Sequence, residues 1–289
     1  MKILVTGATG YIGSKLTKKL VSLGYDTGIL IRSKSDTALL KDVIPKIKVF
    51  IIESNYASIN SAVAEFKPDL TVHLASLFID QHTPEAISNL CESNILFGML
   101  LLETLVNNDC KLFINTGTSW QHYNDEIYNP ANLYAATKQA FDDIIKYYIE
   151  AYALRCITLK LFDTYGPDDT RPKIFNLLNK IAETEEQIEM SAGGQEFNIV
   201  HIDDVIQAYL YCIEELQQTN ACSKIYGVGN EHSKTLREYV NDYEIYLKKR
   251  LNIIWGGRPY KRREVMTSWK AFNKIKKLFI NPDIFKIEK

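Results

Sequence analysis

Short apolar runs alternate along the first part of the chain with longer stretches whose apolar residues recur at helical spacing. Residues 2–6 (KILVT) form an apolar run that ends in a glycine-rich turn, which predicts a buried parallel strand. The apolar positions of residues 12–23 fit one face of a helix, and residues 28–31 form the next apolar run. Together these segments predict a strand–helix–strand unit within residues 1–32.

The same alternation continues to residue 161. Further strands are predicted at residues 49–52, 70–74, 111–115 and 156–161, and helices at residues 94–106 and 134–152. Strands separated by helices pair in parallel, with the helices covering both faces of the sheet. The pattern therefore predicts an α/β fold with a Rossmann-like, doubly wound parallel sheet.

The turn after the first predicted strand carries glycines at three-residue intervals, in the sequence TGATGYIG. Gly7 permits a tight turn, Gly10 lets the backbone approach a pyrophosphate, and Gly13 lets the helix pack closely against the strand. The N-terminus of the helix then stabilises the phosphate charge. This context predicts a dinucleotide site formed by Gly7, Thr9, Gly10, Tyr11, Ile12 and Gly13.

The end of the second predicted strand bears on the choice of dinucleotide. A carboxylate there would bind the adenosine ribose and favour NAD(H), but Ile31 is followed by Arg32 and Ser33. A guanidinium group binds a 2′-phosphate through two hydrogen bonds. We therefore expect NADP(H) in preference to NAD(H), bound in part by Arg32 and Ser33. The alternative is a surface arginine at position 32, with Asp36 or another group binding the ribose.

Beyond Pro167 the alternation weakens, and the tail is irregular and basic. The pattern there predicts two helices and one strand, at residues 173–184, 205–214 and 196–201. We expect residues 1–166 to form an NAD(P)-binding Rossmann domain and residues 167–289 to form a smaller C-terminal, substrate-binding lobe. A segment around residues 196–228 is expected to return to the main sheet.

A tyrosine and a lysine four residues apart, Tyr134 and Lys138, lie at the start of a predicted helix in the sequence NLYAATK. This spacing places both on one face, where the ammonium group can lower the pKa of the phenol and the phenol can exchange a proton with a carbonyl oxygen. The preceding strand carries hydroxyl groups at its carboxyl end, the edge at which open α/β sheets bind ligands. We expect Thr116 or Thr118 to hydrogen-bond the same substrate oxygen as Tyr134, with Thr116 preferred.

Charge and cysteine content narrow the class of protein. The formal net charge is −1 without a block of like charges, which argues against nucleic acid or a membrane as a partner. The five cysteines include no CxxC pair, which argues against a disulfide framework or a metal site and favours a reducing compartment. The N-terminal apolar run ends at Gly7, too early for a signal peptide or a transmembrane helix. We therefore expect a cytoplasmic protein.

A series of motifs runs in order along residues 1–230: TGATGYIG, HLAS, SNILFGMLLLETL, NTGTSWQ, YAATK, LKLFDTYGP and VHIDDV. With these motifs the chain resembles the NAD-dependent epimerase/dehydratase family, the extended branch of the short-chain dehydrogenase/reductases. The resemblance implies that the substrate is a sugar carried by a nucleoside diphosphate. It also implies a homodimer that forms through the helices at residues 94–106 and 134–152.

The resemblance further implies roles for individual residues. The catalytic residues are expected to be Thr116, Tyr134 and Lys138. The cofactor site is expected to be lined additionally by Leu74, Ala75 and Ser76, and Tyr134 and Lys138 are expected to contact the cofactor as well. Asn94 matches a buried asparagine that precedes a helix in the family, with a helix-capping or loop role as an equal alternative.

Departures from the family's patterns reduce the number of reactions expected for this chain. Family 4,6-dehydratases carry an Asp-Glu pair after the catalytic threonine for proton transfer, whereas Gly117 and Thr118 stand there in this chain. Bifunctional 3,5-epimerase/reductases carry a cysteine near this point, and none lies between Cys110 and Cys156. Two reactions remain: epimerisation at C4 with tightly bound NAD, and reduction of a 4-keto sugar by NADPH. Arg32 favours reduction.

A second indication lies in LFDTYGPDDTRPKIF, residues 161–175. Asp163 stands where most of the family has asparagine, and together with RPKIF it resembles the CDP-abequose and CDP-paratose synthase type of sugar-nucleotide 4-reductase. We therefore expect reduction of the C4 ketone of a CDP- or dTDP-linked 6-deoxy- or 3,6-dideoxy-4-hexulose, in deoxysugar biosynthesis for surface polysaccharide such as the O-antigen of lipopolysaccharide. The alternatives are a 4-epimerase and, from another class, a non-catalytic NADP(H)-binding regulatory protein.

Arginines are the expected ligands of the substrate diphosphate, because a guanidinium group matches two phosphate oxygens. The expected substrate-binding residues are Thr118, Asp163, Arg171, Arg258 and Arg263. The basic stretch GGRPYKRREVM contains two of them, and a solvated basic loop is the alternative. After the catalytic strand, Gln121 and His122 are expected to line the sugar pocket, whereas Trp120 has an equal alternative in packing.

Overall fold

The computed structural model describes residues 1–171, 173–271, 273 and 275, and a sheet of seven strands lies at the centre of this described part. The strands are β1 (Lys2–Thr6), β2 (Asp26–Ile31), β3 (Lys48–Ile51), β4 (Leu70–His73), β5 (Leu112–Thr118), β6 (Arg155–Leu161), β7 (Asp163–Tyr165), β8 (Ile188–Met190), β9 (Glu196–Phe197), β10 (Ile199–His201), β11 (Ser223–Val228), β12 (Lys234–Thr235) and β13 (Ile253–Trp255). The helices are α1 (Tyr11–Ser22), α2 (Tyr56–Phe66), α3 (Ala86–Cys91), α4 (Phe97–Asn107), α5 (Leu133–Tyr152), α6 (Ile174–Thr184), α7 (Ile202–Gln218) and α8 (Leu236–Leu247).

The strands of the main sheet follow the order β3-β2-β1-β4-β5-β6-β11, and every neighbouring pair is parallel. The order from β3 to β6 is that of a Rossmann fold. The chain runs to β3 at one edge and re-enters the sheet at β4 beside β1, so the strand order reverses between these two strands. Ligands of such sheets bind at the carboxyl ends of the strands that flank the reversal, here just beyond Thr6 and His73. The predicted α/β, doubly wound parallel fold is confirmed.

Side chains alternate along the strands and pack into two apolar cores, one on each face of the sheet. Ile3 and Val5 of β1 pack with α1 and α7, whereas Leu4 packs with α2, α4 and α5. Helix α2 lies outside the predicted elements. A signal for it was present in the sequence, because Asn55 caps the helix by accepting a hydrogen bond from the Ser58 amide at 2.9 Å.

The helix predicted at residues 94–106 begins earlier, at Ala86. A π-helical turn, Glu92–Leu96, joins α3 to α4 and inserts an extra residue into the helix. Within the described residues, the combined helix Ala86–Asn107 is the one whose length and composition would suffice to cross a membrane. A buried core helix has the same composition, and Leu101, Leu102 and Leu105 are fully buried in the protein interior.

Beyond β7, short strand pairs and two helices form a smaller cluster. Strand β10 pairs with β7, β12 with β9 and β13 with β8, and α6 and α8 pack around a core that includes Phe175, Met190 and Tyr239. In the segment that was expected to return to the main sheet, β11 lies beside β6, whereas β9 and β10 pair outside the main sheet. The domain boundary at residue 166 stays a prediction.

Candidate active site

A cavity of about 2060 Å³ opens at the carboxyl ends of the sheet strands. Its walls include the glycine turn after β1, the loop after β4, the end of β5, the start of α5, and residues 195–199 and 258–265 from the C-terminal part of the chain. A pocket for one small ligand usually occupies about 300–1,000 Å³. The cavity is therefore large enough for a dinucleotide and a second ligand together.

Two glycines of the turn after β1 leave no room for a side chain. Gly7 has a φ of +69°, and a Cβ atom there would lie 2.6 Å from backbone atoms of Leu74 and Ala75. A Cβ atom at Gly13 would lie 2.1 Å from the Gly7 carbonyl oxygen. Gly10 directly precedes α1, so no side chain at that position competes with an anion for the first N–H groups of the helix. The turn is therefore shaped to hold the pyrophosphate of a dinucleotide.

The predicted dinucleotide-binding residues differ in their position relative to the cavity. Gly7, Gly10, Tyr11, Ile12 and Gly13 line it, and Thr9 lies half-buried in the same turn. Arg32 and Ser33 follow β2 with exposed side chains, beyond these walls. A turn holds Arg32 there, because its amide donates to Ser35 Oγ at 3.0 Å and its carbonyl accepts from the Ser35 amide at 2.9 Å. This is the edge at which Rossmann folds bind the adenosine ribose.

The loop after β4 is held by Asn94, which is buried in the π-helical turn. Its Oδ1 accepts from the Leu77 amide at 2.7 Å and from Ser76 Oγ at 3.1 Å, and its Nδ2 donates to Thr137 Oγ1 at 3.0 Å. Asn94 therefore joins this loop to α5 rather than capping a helix. The predicted cofactor-lining residues lie in the loop, two on the cavity wall and one against the glycine turn: Leu74, Ser76 and Ala75.

Helix α5 begins at the cavity wall. Asn132 caps it by accepting a hydrogen bond from the Ala135 amide at 2.9 Å. Tyr134 and Lys138 follow one turn apart, and both line the cavity. The Tyr134 hydroxyl hydrogen-bonds with Ser76, and only 3% of Lys138 is exposed. The structure thus brings the two residues of the predicted pair to one surface of the cavity.

Burial governs the protonation of both groups. It raises the pKa of Tyr134 to about 12, against the opposing effect of the hydrogen bond with Ser76. It lowers the pKa of Lys138 to about 8, against the opposing charge of Asp142. The sequence led us to expect a lowered phenol pKa beside Lys138, and here the desolvation of the phenol outweighs any such effect. At neutral pH the phenol therefore keeps its proton and the ammonium group keeps its charge.

Strand β5 ends with two threonines, Thr116 and Thr118, whose side chains point to the same face of the sheet and line the cavity. Thr116 Oγ1 lies 2.7 Å from the Tyr209 hydroxyl of α7. Thr118 Oγ1 accepts a hydrogen bond from the Trp120 amide at 3.3 Å, which leaves its hydrogen for donation. Because either hydroxyl can be the donor in the contact between Thr116 and Tyr209, both threonines remain able to donate a hydrogen bond to a ligand. Ser119 and Trp120 follow Thr118, so neither threonine is followed by the Asp-Glu pair that the family's dehydratases carry.

The predicted arginine ligands all line the cavity but differ in their contacts: Arg171, Arg258 and Arg263. Arg171 pairs with Asp169 at 2.7 Å, and its guanidinium group stacks 4.6 Å from the centre of the Tyr11 ring. Arg171 therefore packs against the glycine turn through Tyr11. Arg263 stacks 4.2 Å from the centre of the Tyr123 ring. Arg258 lines the cavity with an exposed side chain.

Asp163, which was predicted to bind substrate, lines the cavity and pairs with Lys173 at 2.9 Å. Lys173 Nζ also lies over the Phe78 ring, 5.4 Å from its centroid. Phe78 packs edge-on against Tyr134 with ring centroids 5.0 Å apart, and its centroid lies 5.6 Å from that of Trp120. We call Phe78 and Trp120 the aromatic wall. The sequence interpretation missed Phe78 and Lys173, although Lys173 stands within the RPKIF motif.

Comparison with known proteins identifies the family. Residues 3–229 match the NAD dependent epimerase/dehydratase family, which is most of the chain. The chain belongs to this family. The resemblance predicted from the motifs is thereby confirmed.

Relatives of this epimerase/dehydratase-family chain include two CDP-abequose synthases. That of Yersinia pseudotuberculosis is 28% identical over 270 residues, which cover 92% of this chain and 91% of the relative. That of Salmonella muenchen is 29% identical over 268 residues, which cover 92% and 88%. Similar solved structures include the Thermus thermophilus UDP-glucose 4-epimerase in complex with NAD, with a TM-score of 0.76, 22% identity and coverage of 93% and 91%. The Thermotoga maritima UDP-glucose 4-epimerase with UDP-glucose has a TM-score of 0.80, 18% identity and coverage of 94% and 90%.

The residues that follow β5 correct one expectation for this family member. Trp120 lines the cavity, whereas Gln121 and His122 are 0% and 4% exposed and bond into the interior. Gln121 Nε2 donates to Asp142 at 2.8 Å, and His122 Nε2 lies 3.0 Å from Lys160 Nζ. The prediction that Gln121 and His122 line the sugar pocket is wrong. A 3₁₀ turn after β5 rotates these side chains away from the cavity.

Proposed function

We propose that this protein uses NADPH to reduce the C4 ketone of a 6-deoxy- or 3,6-dideoxy-4-hexulose linked to CDP or dTDP. The observation that carries the proposal is the protonated phenol of Tyr134 on the cavity wall, one helical turn from the buried ammonium group of Lys138. A phenol in this state suits proton donation to a ketone oxygen. The two CDP-abequose synthase relatives support this substrate class.

In the proposed reaction, Tyr134 donates its proton to O4 of the sugar as the ketone becomes an alcohol. The charge of Lys138 stabilises the phenolate that this leaves behind. Thr118 donates a hydrogen bond to the same oxygen, with Thr116 as the alternative that the sequence preferred. The reduced nicotinamide supplies the hydride when the cofactor is bound.

The chain's own residues fit a dinucleotide. The crowded glycine positions and the N-terminus of α1 would hold the pyrophosphate, and Leu74 and Ser76 would line the nicotinamide end of the site. Arg32 supports NADPH over NADH, because its exposed guanidinium group follows β2, the strand whose end lies near the adenosine ribose in Rossmann folds.

The aromatic wall supports a substrate that lacks hydroxyl groups. Phe78 is 50% exposed and lies beside Tyr134, where the sugar would be bound. A hydroxyl group held against such a surface loses its water without gaining a partner, which costs about 1–3 kcal/mol. A methyl or methylene group instead gains from burial. The wall therefore suits the deoxygenated positions of a 6-deoxy or 3,6-dideoxy sugar.

We place this reaction in deoxysugar biosynthesis for a surface polysaccharide, carried out by a cytoplasmic homodimer. The homodimer is supported by exposed apolar side chains on the helices predicted to form its interface: Leu96, Met99, Tyr147 and Tyr152. Light scattering on the purified protein tests it, and a mass of one chain at micromolar concentration would contradict it.

A second candidate is a 4-epimerase with tightly bound NAD, which is favoured by the UDP-glucose 4-epimerases that share the fold. The deciding experiment supplies the purified protein with NADPH or NADH and with CDP-linked 3,6-dideoxy-4-hexulose, dTDP-linked 6-deoxy-4-hexulose or UDP-glucose. We expect NADPH oxidation and a C4 alcohol from one of the keto sugars. Conversion of UDP-glucose into its C4 epimer without NADPH oxidation would establish the epimerase instead. Tight NADPH binding without turnover of any substrate would indicate the non-catalytic regulatory protein.

A further inference from the structure

Asp142 is a buried carboxylate that the proposed reaction does not use. It lies one turn beyond Lys138 on α5, and its side chain is 11% exposed. On its other side, Lys160 Nζ of β6 lies 3.5 Å from Asp142 Oδ2, with 4% of the lysine side chain exposed. Asp142 is therefore paired with one buried ammonium group, that of Lys160, and its charge also acts on a second, that of Lys138 one helical turn away. Such charges are tolerated inside a protein only when they are paired and hydrogen-bonded.

Hydrogen bonds fix this carboxylate and connect it to the end of β5. Asn115 Nδ2 donates to Asp142 Oδ1 at 2.8 Å, and Gln121 Nε2 donates to Oδ2 at 2.8 Å. The other end of the Gln121 amide, Oε1, accepts the Thr118 backbone N–H at 2.9 Å. A single glutamine thus ties Asp142 to the residue proposed to hydrogen-bond the substrate oxygen.

Lys160 has a second partner in His122. Its Nζ lies 3.0 Å from His122 Nε2, and His122 Nδ1 lies 3.0 Å from the Glu126 carbonyl oxygen. Because a carbonyl only accepts, the histidine donates a hydrogen bond through Nδ1 and accepts one from Lys160 Nζ at Nε2. Burial lowers the pKa of His122 to about 4, so the ring is neutral at neutral pH. Burial lowers the pKa of Lys160 and raises that of Asp142, and the attraction between the two charges opposes both shifts.

We infer that Asp142 is a positioning residue, which keeps Lys138 in its charged form and holds the end of β5 in place, while Lys160 competes for the same carboxylate. This role in turnover rests on the proposed function, whereas the protonation of Lys138 is measurable without any substrate. In this arrangement Asp142 is the counter-ion that Lys138, at the cavity, shares with Lys160, behind it.

The other titratable groups around Lys138 do not supply this counter-charge. Burial, aided by the charge of Lys138, lowers the pKa of His73 of β4 to about 3, so His73 is neutral. Tyr134 on the same helix keeps its proton. Among the described residues, the charge that raises the pKa of Lys138 against its burial is that of Asp142.

The test follows the Lys138 ammonium group by NMR in protein labelled with ¹³C-lysine, with its signal assigned from Lys138→Met. In Asp142→Asn the pKa of Lys138 is expected to fall below its value of about 8, by about one pH unit or more, as for a lysine that loses a nearby opposite charge. In Lys160→Met it is expected to rise, because a positive charge that disfavours the charged form of Lys138 is removed. Asp142→Glu keeps the charge and is expected to stay near the wild-type value.

The matched control is Asp143→Asn, a change at the exposed neighbouring carboxylate, which is expected to leave the Lys138 pKa unchanged. Loosened packing alone would not move one ionisation in opposite directions in two variants. Lys160→Met and Asp142→Glu also carry the test if Asp142→Asn does not fold. An unchanged Lys138 pKa in the folded variants, or the same direction of shift in both Asp142→Asn and Lys160→Met, would overturn the inference.

Kinetics separates this inference from the proposed function. With a 4-keto sugar nucleotide and NADPH, the pH at which kcat declines is expected to move down in Asp142→Asn and up in Lys160→Met. A shift of one pH unit corresponds to about tenfold in kcat on the alkaline side. Opposite NMR shifts without turnover of any sugar nucleotide would support the role of Asp142 and reject the proposed reduction. Turnover of a 4-keto sugar with the same pH profile in the wild type and in both variants would support the proposed reduction and reject the role of Asp142.

Discussion

The hydroxyl oxygens of Thr116 and Tyr209 lie 2.7 Å apart, and the hydrogen bond between them joins the end of β5 to α7. Tyr209 is fully buried, so this bond belongs to the core between the sheet and the helix. It ties Thr116 to the core, whereas the described hydrogen bond of Thr118 Oγ1 lies within the 3₁₀ turn that follows β5. We therefore expect Thr116 to contribute to stability and Thr118 to donate to the substrate.

Valine at each of the two positions tests this division. Thr118→Val is expected to lower kcat by about 100-fold, the loss that follows when one donor to a developing oxyanion is removed. Thr116→Val is expected to change kcat little and to lower the free energy of unfolding by about 1 kcal/mol, the usual contribution of one hydrogen bond. Steady-state kinetics and denaturant unfolding measure the two effects. A larger loss of kcat in Thr116→Val would return the catalytic role to Thr116.

Removal of the phenolic hydroxyl should abolish most of the activity. Tyr134→Phe is expected to lower kcat by about 10²–10⁴-fold, the range typical of a lost general acid, with the Kd for NADPH nearly unchanged. Tyr128→Phe, at a tyrosine that is 56% exposed, is the control. A rate near that of the wild type in Tyr134→Phe would remove the tyrosine from the mechanism.

The pKa values predict the direction of the pH dependence. Lys138 is charged below its pKa of about 8 and neutral above it, whereas Tyr134 loses its proton only near 12. Because the charged lysine stabilises the phenolate formed on proton donation, kcat for reduction should be level at neutral pH and fall as pH rises through about 8. A pH–rate profile of the wild-type enzyme measures this. A rate that increases through the same interval would point to a general base, as oxidation of a C4 alcohol requires.

The choice of cofactor depends on one exposed guanidinium group. Arg32→Ala is expected to weaken NADPH binding by about 10–100-fold, in keeping with about 1.5–3 kcal/mol for hydrogen bonds to a charged group, and to leave NADH binding almost unaltered. Fluorescence titration with both cofactors measures the two affinities. Lys34→Ala, at the exposed lysine two positions on, is the matched control. Equal losses for the two cofactors would assign Arg32 no role in recognising the 2′-phosphate.

The aromatic wall predicts a preference for deoxygenated sugars. Phe78→Asn is expected to lower kcat/KM for a 3,6-dideoxy-4-hexulose by about tenfold or more, because burial of an apolar side chain contributes about 1.5–3 kcal/mol. The loss should be smaller for a 4-hexulose that keeps its hydroxyl groups. Phe78→Leu retains an apolar surface and serves as the conservative comparison. Equal losses for both sugars would leave the wall without a part in specificity.

Features that depend on neighbouring positions were predictable from the sequence. The glycine turn is one, since Gly7 and Gly13 are needed for contacts within a single turn and its adjoining helix. The Tyr134–Lys138 pair is another, because four residues along a helix return to the same face. The orientation of Gln121 and His122 was not predictable, because it depends on the 3₁₀ turn that follows β5 and on the buried partners that receive these side chains.

The sequence by itself determined the alternation of strands and helices up to residue 161 except for α2, the dinucleotide turn, the candidate proton donor and the family, since spacing along the chain encodes each of them. Only the tertiary structure placed Asp142 between Lys138 and Lys160, and Phe78 against Tyr134. These contacts join separate elements, so no local pattern specifies them. The tertiary structure also determined the protonation states of Tyr134 and Lys138, because the loss of water that shifts a pKa arises only when those elements pack together.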